Sequence, residues 1–351
     1  MDGIDISLVN TNGINLKRLN KNYFYKYTNK TRSFLLNILN EDLNLSRNKK
    51  LFLDEIITKE HFKALKYFEI IHKSDYIGFH GQTIYHDPKS KSSIQLGDPI
   101  KLSNLCKKEV VFDFRSKDIE MGGQGAPIAP IYHKHIIKEL NLELPSCILN
   151  IGGVANLTYW DGVNLIGFDT GPGNALMDTY IKKISNNFFD ENGVLASQGK
   201  PNKKMVRKFL KHSFFKTLPP KSLDRNSFLD FYDDLLSNDF TKADTMATLS
   251  KITLESIYKG ISILPRKIKN ILVSGGGCRN TFLMNALKKK LDITFIDEKK
   301  TDINFDYVES ELIAFLSARS IYNLPFTFPS TTGAIQPSSG GKITRIYKKP
   351  C

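Results

Sequence analysis

The sequence predicts an α/β protein of two lobes with a cleft between them. Three observations predict it. Apolar runs of strand length alternate with segments of helical periodicity. Several of the runs end in glycine-rich turns, at Gly81, Gly152-Gly153 and Gly275-Gly276-Gly277. The stretch Gly122-Gly123-Gln124-Gly125 offers flexible residues where a hinge between lobes would fall. A chain of 351 residues suits two domains or one large α/β unit.

Each element follows from local pattern. Ile4 to Val9 reads as a strand with Asn22 to Tyr27 as its partner, and Ser33 to Asn44 and Lys59 to His72 as helices. Tyr76 to Phe79 and Ser93 to Leu96 are short strands, Leu102 to Lys107 is a helix, and Val110 to Phe114 is a buried strand. Pro127 to Leu140 is a helix. Cys147 to Asn150 and Leu157 to Trp160 flank Gly152-Gly153, and Trp160-Asp161-Gly162-Val163 turns into a strand ending at Phe168. Helices follow over Ala175 to Ile184, Lys203 to His212, Leu229 to Leu236 and Thr241 to Leu264, the last capped by Thr241 and stopped by Pro265. Asn270 to Ser274 is a strand, Thr281 to Lys290 a helix, Ile293 to Ile296 a strand and Val308 to Tyr322 a helix. The Pro-, Thr- and Gly-rich tail packs back on the body.

Composition narrows the class. With 41% hydrophobic and 25% charged residues, the chain has material for an ordinary core. No run of about 18 apolar residues is present, so no membrane span or membrane partner is expected. The start, Met1-Asp2-Gly3-Ile4-Asp5, lacks the basic and apolar regions of a signal peptide. Cys106, Cys147, Cys278 and Cys351 form no CxxC pair, which predicts reduced thiols and a cytoplasmic protein. The net charge of +14 comes from scattered lysines without an aromatic-interleaved stripe, so no nucleic-acid partner is expected. A basic surface would steer anionic nucleotides and sugars.

The octapeptide Gly167-Phe168-Asp169-Thr170-Gly171-Pro172-Gly173-Asn174 is the most informative segment. It sets one carboxylate at the end of an apolar run, against a turn of small residues and the start of a helix. Such a turn exposes N–H groups to an anion. Taken alone, it reads equally as an Asp that caps the helix. Asn150-Ile151-Gly152-Gly153 is neither a P-loop nor a GxGxxG fingerprint, and a plain hairpin explains it as well as a phosphate contact does. Gly275-Gly276-Gly277 is costly in chain entropy and suits a base and ribose lying on bare backbone, though it also reads as a tight turn with a helix cap. Two such turns suggest a split nucleotide site. Phosphoryl transfer then needs positioned phosphates, Mg²⁺ and a carboxylate that takes a proton, for which Asp169 is suited.

Polar residues near strand ends in the first half, namely His80, Gln82, Gln95, Asp98, Arg115 and Asp118, have the chemistry to read sugar hydroxyls. Arg115 could grip a carboxylate with its fork. Each also reads as an ordinary surface residue. His80 and His86 lack a third ligand at zinc spacing.

Together these motifs resemble one family, the anhydro-N-acetylmuramic acid kinases of bacterial cell-wall recycling. The matching stretches are Gly78 to His86, Gln95 to Pro99, Asp113 to Asp118, Gly122 to Pro127, Asn150 to Thr158, Gly167 to Asn174, Pro219 to Ser222 and Gly275 to Asn280. Their order and spacing match as a set over nearly the whole chain.

The resemblance implies an actin/hexokinase-like, ribonuclease H-like kinase fold with a central cleft. It implies an N-terminal lobe on the sugar side (residues 1–125 with 330–351) and a C-terminal lobe, 126–329, for nucleotide and base. It implies ATP and Mg²⁺, with metal ligands unassigned, and a homodimer. The implied reaction opens the 1,6-anhydro bridge of the sugar with water and phosphorylates the freed O6, giving N-acetylmuramic acid 6-phosphate for peptidoglycan recycling and amino-sugar catabolism. By matching position Asp169 would be the base that activates the water, a role related to inverting glycosidases. His80, Gln95, Arg115, Asp118 and Glu309 would bind the sugar. Asp2, Gly3, Asn150, Gly152, Gly153, Gly171, Gly173, Gly275, Gly276 and Gly277 would bind ATP.

One departure stands out. The family begins with a strand and Met-Ser-Gly-Thr-Ser before Asp-Gly-x-Asp, whereas this sequence enters that motif at Met1. The expectation is an absent first strand and phosphate turn, with an upstream start favoured over a shortened chain. The alternatives to the kinase reading are a catalytically impaired sugar- or nucleotide-binding remnant and a kinase for another sugar acid.

Overall fold

The computed structural model describes residues 3–40, 46–69, 71–87, 90, 92–223 and 227–345. The chain divides into two compact units. The first holds residues 1–128, 306–329 and 333–351, and the second holds 129–305 and 330–332. Both mix helices and sheets.

In the first unit, β1 (Gly3–Thr11) and β2 (Leu16–Lys26) form an antiparallel hairpin with a register shift at Leu8/Val9. β3 (Tyr76–Gly78) runs parallel to β6 (Glu109–Phe112), while β4 (Gln82–Asp87) and β5 (Ser92–Leu96) form a second hairpin. The final strand, Lys342–Ile343, pairs with β6, so the tail does return to the body. β4 is absent from the sequence reading, because Gln82 to Asp87 is polar enough to pass for a loop. Its pairing with β5 makes it a strand.

The Arg47–Tyr67 helix starts twelve residues before its predicted start and stops before His72. Ser46 caps it by accepting from the Lys49 N–H at 3.3 Å. Leu53, Ile57 and Ala64 fall on one face and join Phe79, Leu96 and Leu102 in the core. Asp98 caps the next helix, Pro99–Cys106, by accepting from the Lys101 N–H at 2.9 Å. That bond gives its carboxylate a structural task.

The second unit is built on a five-stranded sheet in the order β11-β10-β7-β8-β9, with β7 (Ser146–Ile151), β8 (Val154–Trp160), β9 (Leu165–Pro172), β10 (Asn270–Ser274) and β11 (Thr294–Ile296). β7, β10 and β11 are parallel, β8 runs antiparallel to β7, and β9 antiparallel to β8. Leu149, Ile151, Leu157, Phe168, Ile271 and Val273 bury one face against Leu254 and Ile257 of the Lys242–Ser262 helix. That helix is capped by Thr241, as its sequence predicts.

One prediction needs correcting. β9 does not end at Phe168 but continues through Asp169 to Pro172. Asp169 pairs with Asn156 and Gly171 with Ala155, so Thr170 is the extra residue of a bulge. The Thr170 Oγ1 donates to the Ala155 carbonyl at 3.1 Å and fixes the bulge. The small residues read as a turn are thus a strand end pressed on a helix. A Cβ on Gly171 would lie 2.5 Å from the Ser256 Cβ.

Candidate active site

In the second unit the sheet order creates the site. β7 and β10 are parallel neighbours, with Ser274 opposite Asn150, so the turns that follow them leave the sheet side by side. Gly275 sits at φ +81°, and a Cβ there would fall 2.3 Å from the Asn150 Oδ1. A Cβ on Gly277 would meet the Ile151 Cγ2 at 2.3 Å. The third turn interlocks through main chain: the Gly173 N–H donates to the Gly153 carbonyl at 2.9 Å and the Asn174 N–H to the Gly152 carbonyl at 2.7 Å. Asn150, Gly152, Gly153, Gly171, Gly173, Gly275, Gly276 and Gly277 therefore belong to one cluster.

Those glycines divide into two kinds. Gly171, Gly173, Gly275 and Gly277 lack a side chain because protein atoms occupy the Cβ position within 2.5 Å. Gly152, Gly153 and Gly276 have nothing within 3.5 Å of that position. A Cβ there would make only ordinary contacts, at 3.6 to 3.7 Å, and Gly153 and Gly276 are exposed, so a phosphate or a ribose can approach their bare backbone. The residues present thus fit a nucleotide.

Asp169 is 9% exposed. Its N–H donates to the Lys221 carbonyl at 2.9 Å, and its Oδ2 accepts from the Leu223 N–H at 2.7 Å. The segment Pro219 to Leu223 is therefore a strap across the carboxylate, fixing its direction and supporting its charge. This clamp is not that of an N-cap, since the Ala175–Ile184 helix is preceded by Asn174 without a side-chain cap. Lys221 was not among the expected site residues. Its motif, Pro219 to Ser222, is the signal that could have found it.

In the first unit the Arg115 Nε donates to the His80 Nε2 at 3.2 Å, and its Nη1 to the Gly125 carbonyl at 2.6 Å. An acceptor Nε2 means a neutral His80 protonated at Nδ1, which in turn points at the Gly81 carbonyl at 3.2 Å. Burial and then the Arg115 charge push the imidazole pKa down to about 3. Arg115 therefore keeps its charge beside a neutral ring.

Asp118, 1% exposed, accepts from the Gly125 N–H at 2.7 Å and holds the Gly123-Gln124-Gly125 loop. The Gly123 N–H donates to the Asp118 carbonyl as well. The stretch expected as a hinge is thus fastened at several points. Gln95 donates to the Ser93 Oγ at 2.8 Å, which also bonds the His86 Nδ1 at 3.0 Å, making a polar face on the β4–β5 hairpin.

Glu309 stands in the first turn of the Val308–Ile321 helix. It keeps an exposed face, yet desolvation raises its carboxyl pKa while the Arg115 charge pulls it the other way. Asp5, on β1, is pushed up to about 6 by desolvation, then by Glu309 and Asp306. In the sequence Asp5 is only the last residue of the Asp-Gly-Ile-Asp motif. Its position beside Glu309 appears only once β1 and the helix are folded.

Gly3 pairs with Lys26 in the β1–β2 hairpin, and a Cβ there would fall 2.2 Å from the Tyr25 carbonyl. Asp2 lies outside the described residues. Among the described residues, no three His, Cys, Asp or Glu side chains gather as metal ligands, and no helix is long and apolar enough to cross a membrane.

A clamped, buried carboxylate on a strand that ends at glycine turns with exposed backbone is the equipment of a nucleotide-dependent α/β enzyme. A family model described as AnmK, anhydro-N-acetylmuramic acid kinase, matches residues 1–346. The chain belongs to the anhydro-N-acetylmuramic acid kinase family. A relative of that name from Rhodopseudomonas palustris (strain BisB18) is 37% identical over 98% of this chain and 97% of its own. One from Nitrobacter winogradskyi is 36% identical over 98% and 96%, and one from Zymomonas mobilis 35% over 99% and 97%. The solved structure of a ligand-bound xylulose kinase from Lactobacillus acidophilus covers 91% of this chain and 74% of its own at 11% identity and a TM-score of 0.31, too slight a likeness to bear on the fold.

Proposed function

We propose that the protein is an ATP-dependent kinase that opens 1,6-anhydro-N-acetylmuramic acid with water and phosphorylates O6. The observation that carries this reading is the clamped Asp169 on the strand whose end interlocks with the Gly152-Gly153 turn, in a chain whose family membership spans residues 1–346. The alternatives, a silent binder or a kinase for another sugar acid, have no comparable support.

Asp169 takes a proton from water as its oxygen bonds to the anomeric carbon. The bond from that carbon to O6 breaks, and O6 accepts the phosphoryl group. Bound Mg-ATP supplies that group and neutralises its charge. Gly152, Gly153 and Gly276 hold the nucleotide against bare backbone. Mg²⁺ that arrives on phosphates needs few protein ligands.

On the sugar side, Arg115 offers a fixed cation to the acid group that distinguishes muramic from plain amino sugars. Neutral His80 and Gln95 read hydroxyls, Glu309 faces the sugar as a raised carboxyl, and Asp118 keeps the Gly125 loop in place. A substrate from cell-wall turnover and a need for ATP place the work in the cytoplasm, and a homodimer is the assembly proposed.

The test is mass spectrometry of a reaction with Mg-ATP and 1,6-anhydro-N-acetylmuramic acid. N-Acetylmuramic acid 6-phosphate is expected from the protein and not from a folded Asp169→Asn variant. No product from the folded protein, or equal product from the variant, overturns the reading.

A further inference from the structure

Lys221 is 7% exposed, an unusual burial for a lysine. Its Nζ donates to the Phe214 carbonyl at 3.1 Å and stands 4.4 Å above the Phe214 ring. Neither contact neutralises it. Its main chain meanwhile accepts from the Asp169 N–H, and two residues on, the Leu223 N–H binds the Asp169 carboxylate. A buried carboxylate and a buried lysine are thus carried on two segments joined by main-chain hydrogen bonds.

We propose that Lys221 is a positioning residue for Asp169, its charge keeping the base ionised while its main chain sets the base's direction. This rests on the proposed reaction for its catalytic consequence, though not for the coupling itself. A buried aspartate at a strand end tends to hold its proton, and a protonated base cannot activate water. A nearby fixed cation favours the carboxylate. Among the described residues, the charged groups acting on the Lys221 ammonium are Lys259 of the Lys242–Ser262 helix and Asp169 of β9. Desolvation first, then Lys259, push the Lys221 pKa down to about 8, and Asp169 pulls it back up. The lysine is therefore charged at neutral pH, when the base must be free of its proton.

Two measurements test this on the full chain. The first is the pH profile of kcat for Lys221→Met and Lys221→Arg. Removing the cation should move the acidic limb upward by about half a unit to one unit, and Lys221→Arg should bring it back. A lower melting temperature with an unmoved limb would reduce Lys221 to a structural anchor and overturn the proposal.

The second needs neither sugar nor ATP and does not depend on how Lys221→Met folds. In ¹⁵N-lysine NMR, the Lys221 Nζ should titrate near pH 8 in the wild-type protein and lower in Asp169→Asn. An unchanged midpoint overturns the coupling. A shifted midpoint in a protein that makes no sugar phosphate would leave the coupling standing and defeat only the substrate assignment.

Discussion

Thr253 donates from its Oγ1 to the Gly173 carbonyl at 2.8 Å, both groups being buried. The bond ties the Lys242–Ser262 helix to the end of the Asp-Thr-Gly-Pro-Gly segment, just where Gly173 and Asn174 interlock with Gly152 and Gly153. Through Gly173 the helix sets where the Gly152-Gly153 turn stands.

Thr253→Val keeps the shape of the side chain and removes the donor, leaving a buried carbonyl unsatisfied at a cost of about 1–3 kcal/mol. The expected result is a higher KM for ATP with little change in the KM for sugar, and recovery in Thr253→Ser. Equal changes in both constants would show that the bond supports the whole unit and not the nucleotide turns.

The two kinds of glycine predict opposite outcomes from the same substitution. Gly275→Ala puts a methyl 2.3 Å from the Asn150 Oδ1 at a backbone with φ +81°, so it should cost about 2 kcal/mol of stability or more in urea unfolding. A methyl on Gly276 has the Asn174 Nδ2 at 3.7 Å as its nearest neighbour and should leave stability as it is. Gly276→Ala should instead weaken ATP binding, read by calorimetry. A stable Gly275→Ala with normal affinity would mean that the turn yields.

These cases show what was legible in the sequence. A glycine triplet after a strand signals that backbone must be approached closely, but not by what. Only the register of β10 against β7 shows that Gly275 and Gly277 pack against protein while Gly276 stays exposed. Asp169 stands out in the sequence as a lone acid among small residues, but that pattern fits a helix cap equally well, and only the fold shows that it caps no helix. Its strap was not legible, because Lys221 and Leu223 come from a segment over fifty positions downstream. β4 was missed because polar residues hide a strand, and β9 was cut short because Gly171 and Pro172 look like a turn when read one residue at a time. The Thr241 cap was legible because it acts within three residues of itself, whereas Asp98, read only as a polar residue at a strand end, proves to cap the Pro99–Cys106 helix.

The histidines predict how stability depends on pH. Burial holds His61, His86 and His133 down to about 4 and His80 to about 3. The unfolded chain takes up these protons near pH 6.5. The stability that neutral imidazoles contribute is therefore fully present above 6.5 and is lost as the pH falls toward 4. His133 is 4% exposed, with its Nδ1 2.7 Å from the Thr158 Oγ1. His133→Gln cannot titrate and should flatten the pH dependence of unfolding free energy by about 1 kcal/mol per pH unit between 6 and 4.5. Parallel curves for variant and wild type would mean that His133 charges without unfolding the protein.

Arg115 bridges His80 and the Gly125 carbonyl with two different nitrogens of one planar group. A lysine has one nitrogen and no plane, so Arg115→Lys can keep the charge but not both bonds. Losing a hydrogen bond of a charged group costs about 1.5–3 kcal/mol. If Arg115 orders the sugar side, Arg115→Lys should raise the sugar KM about tenfold or more, with the ATP KM close to wild type. His80 should titrate higher in Arg115→Ala, because the cation is one of the causes that depress it. A histidine NMR titration reads that shift without any substrate. An unchanged sugar KM together with a shifted His80 would confine Arg115 to the architecture of its loop and leave recognition of the acid group to another residue.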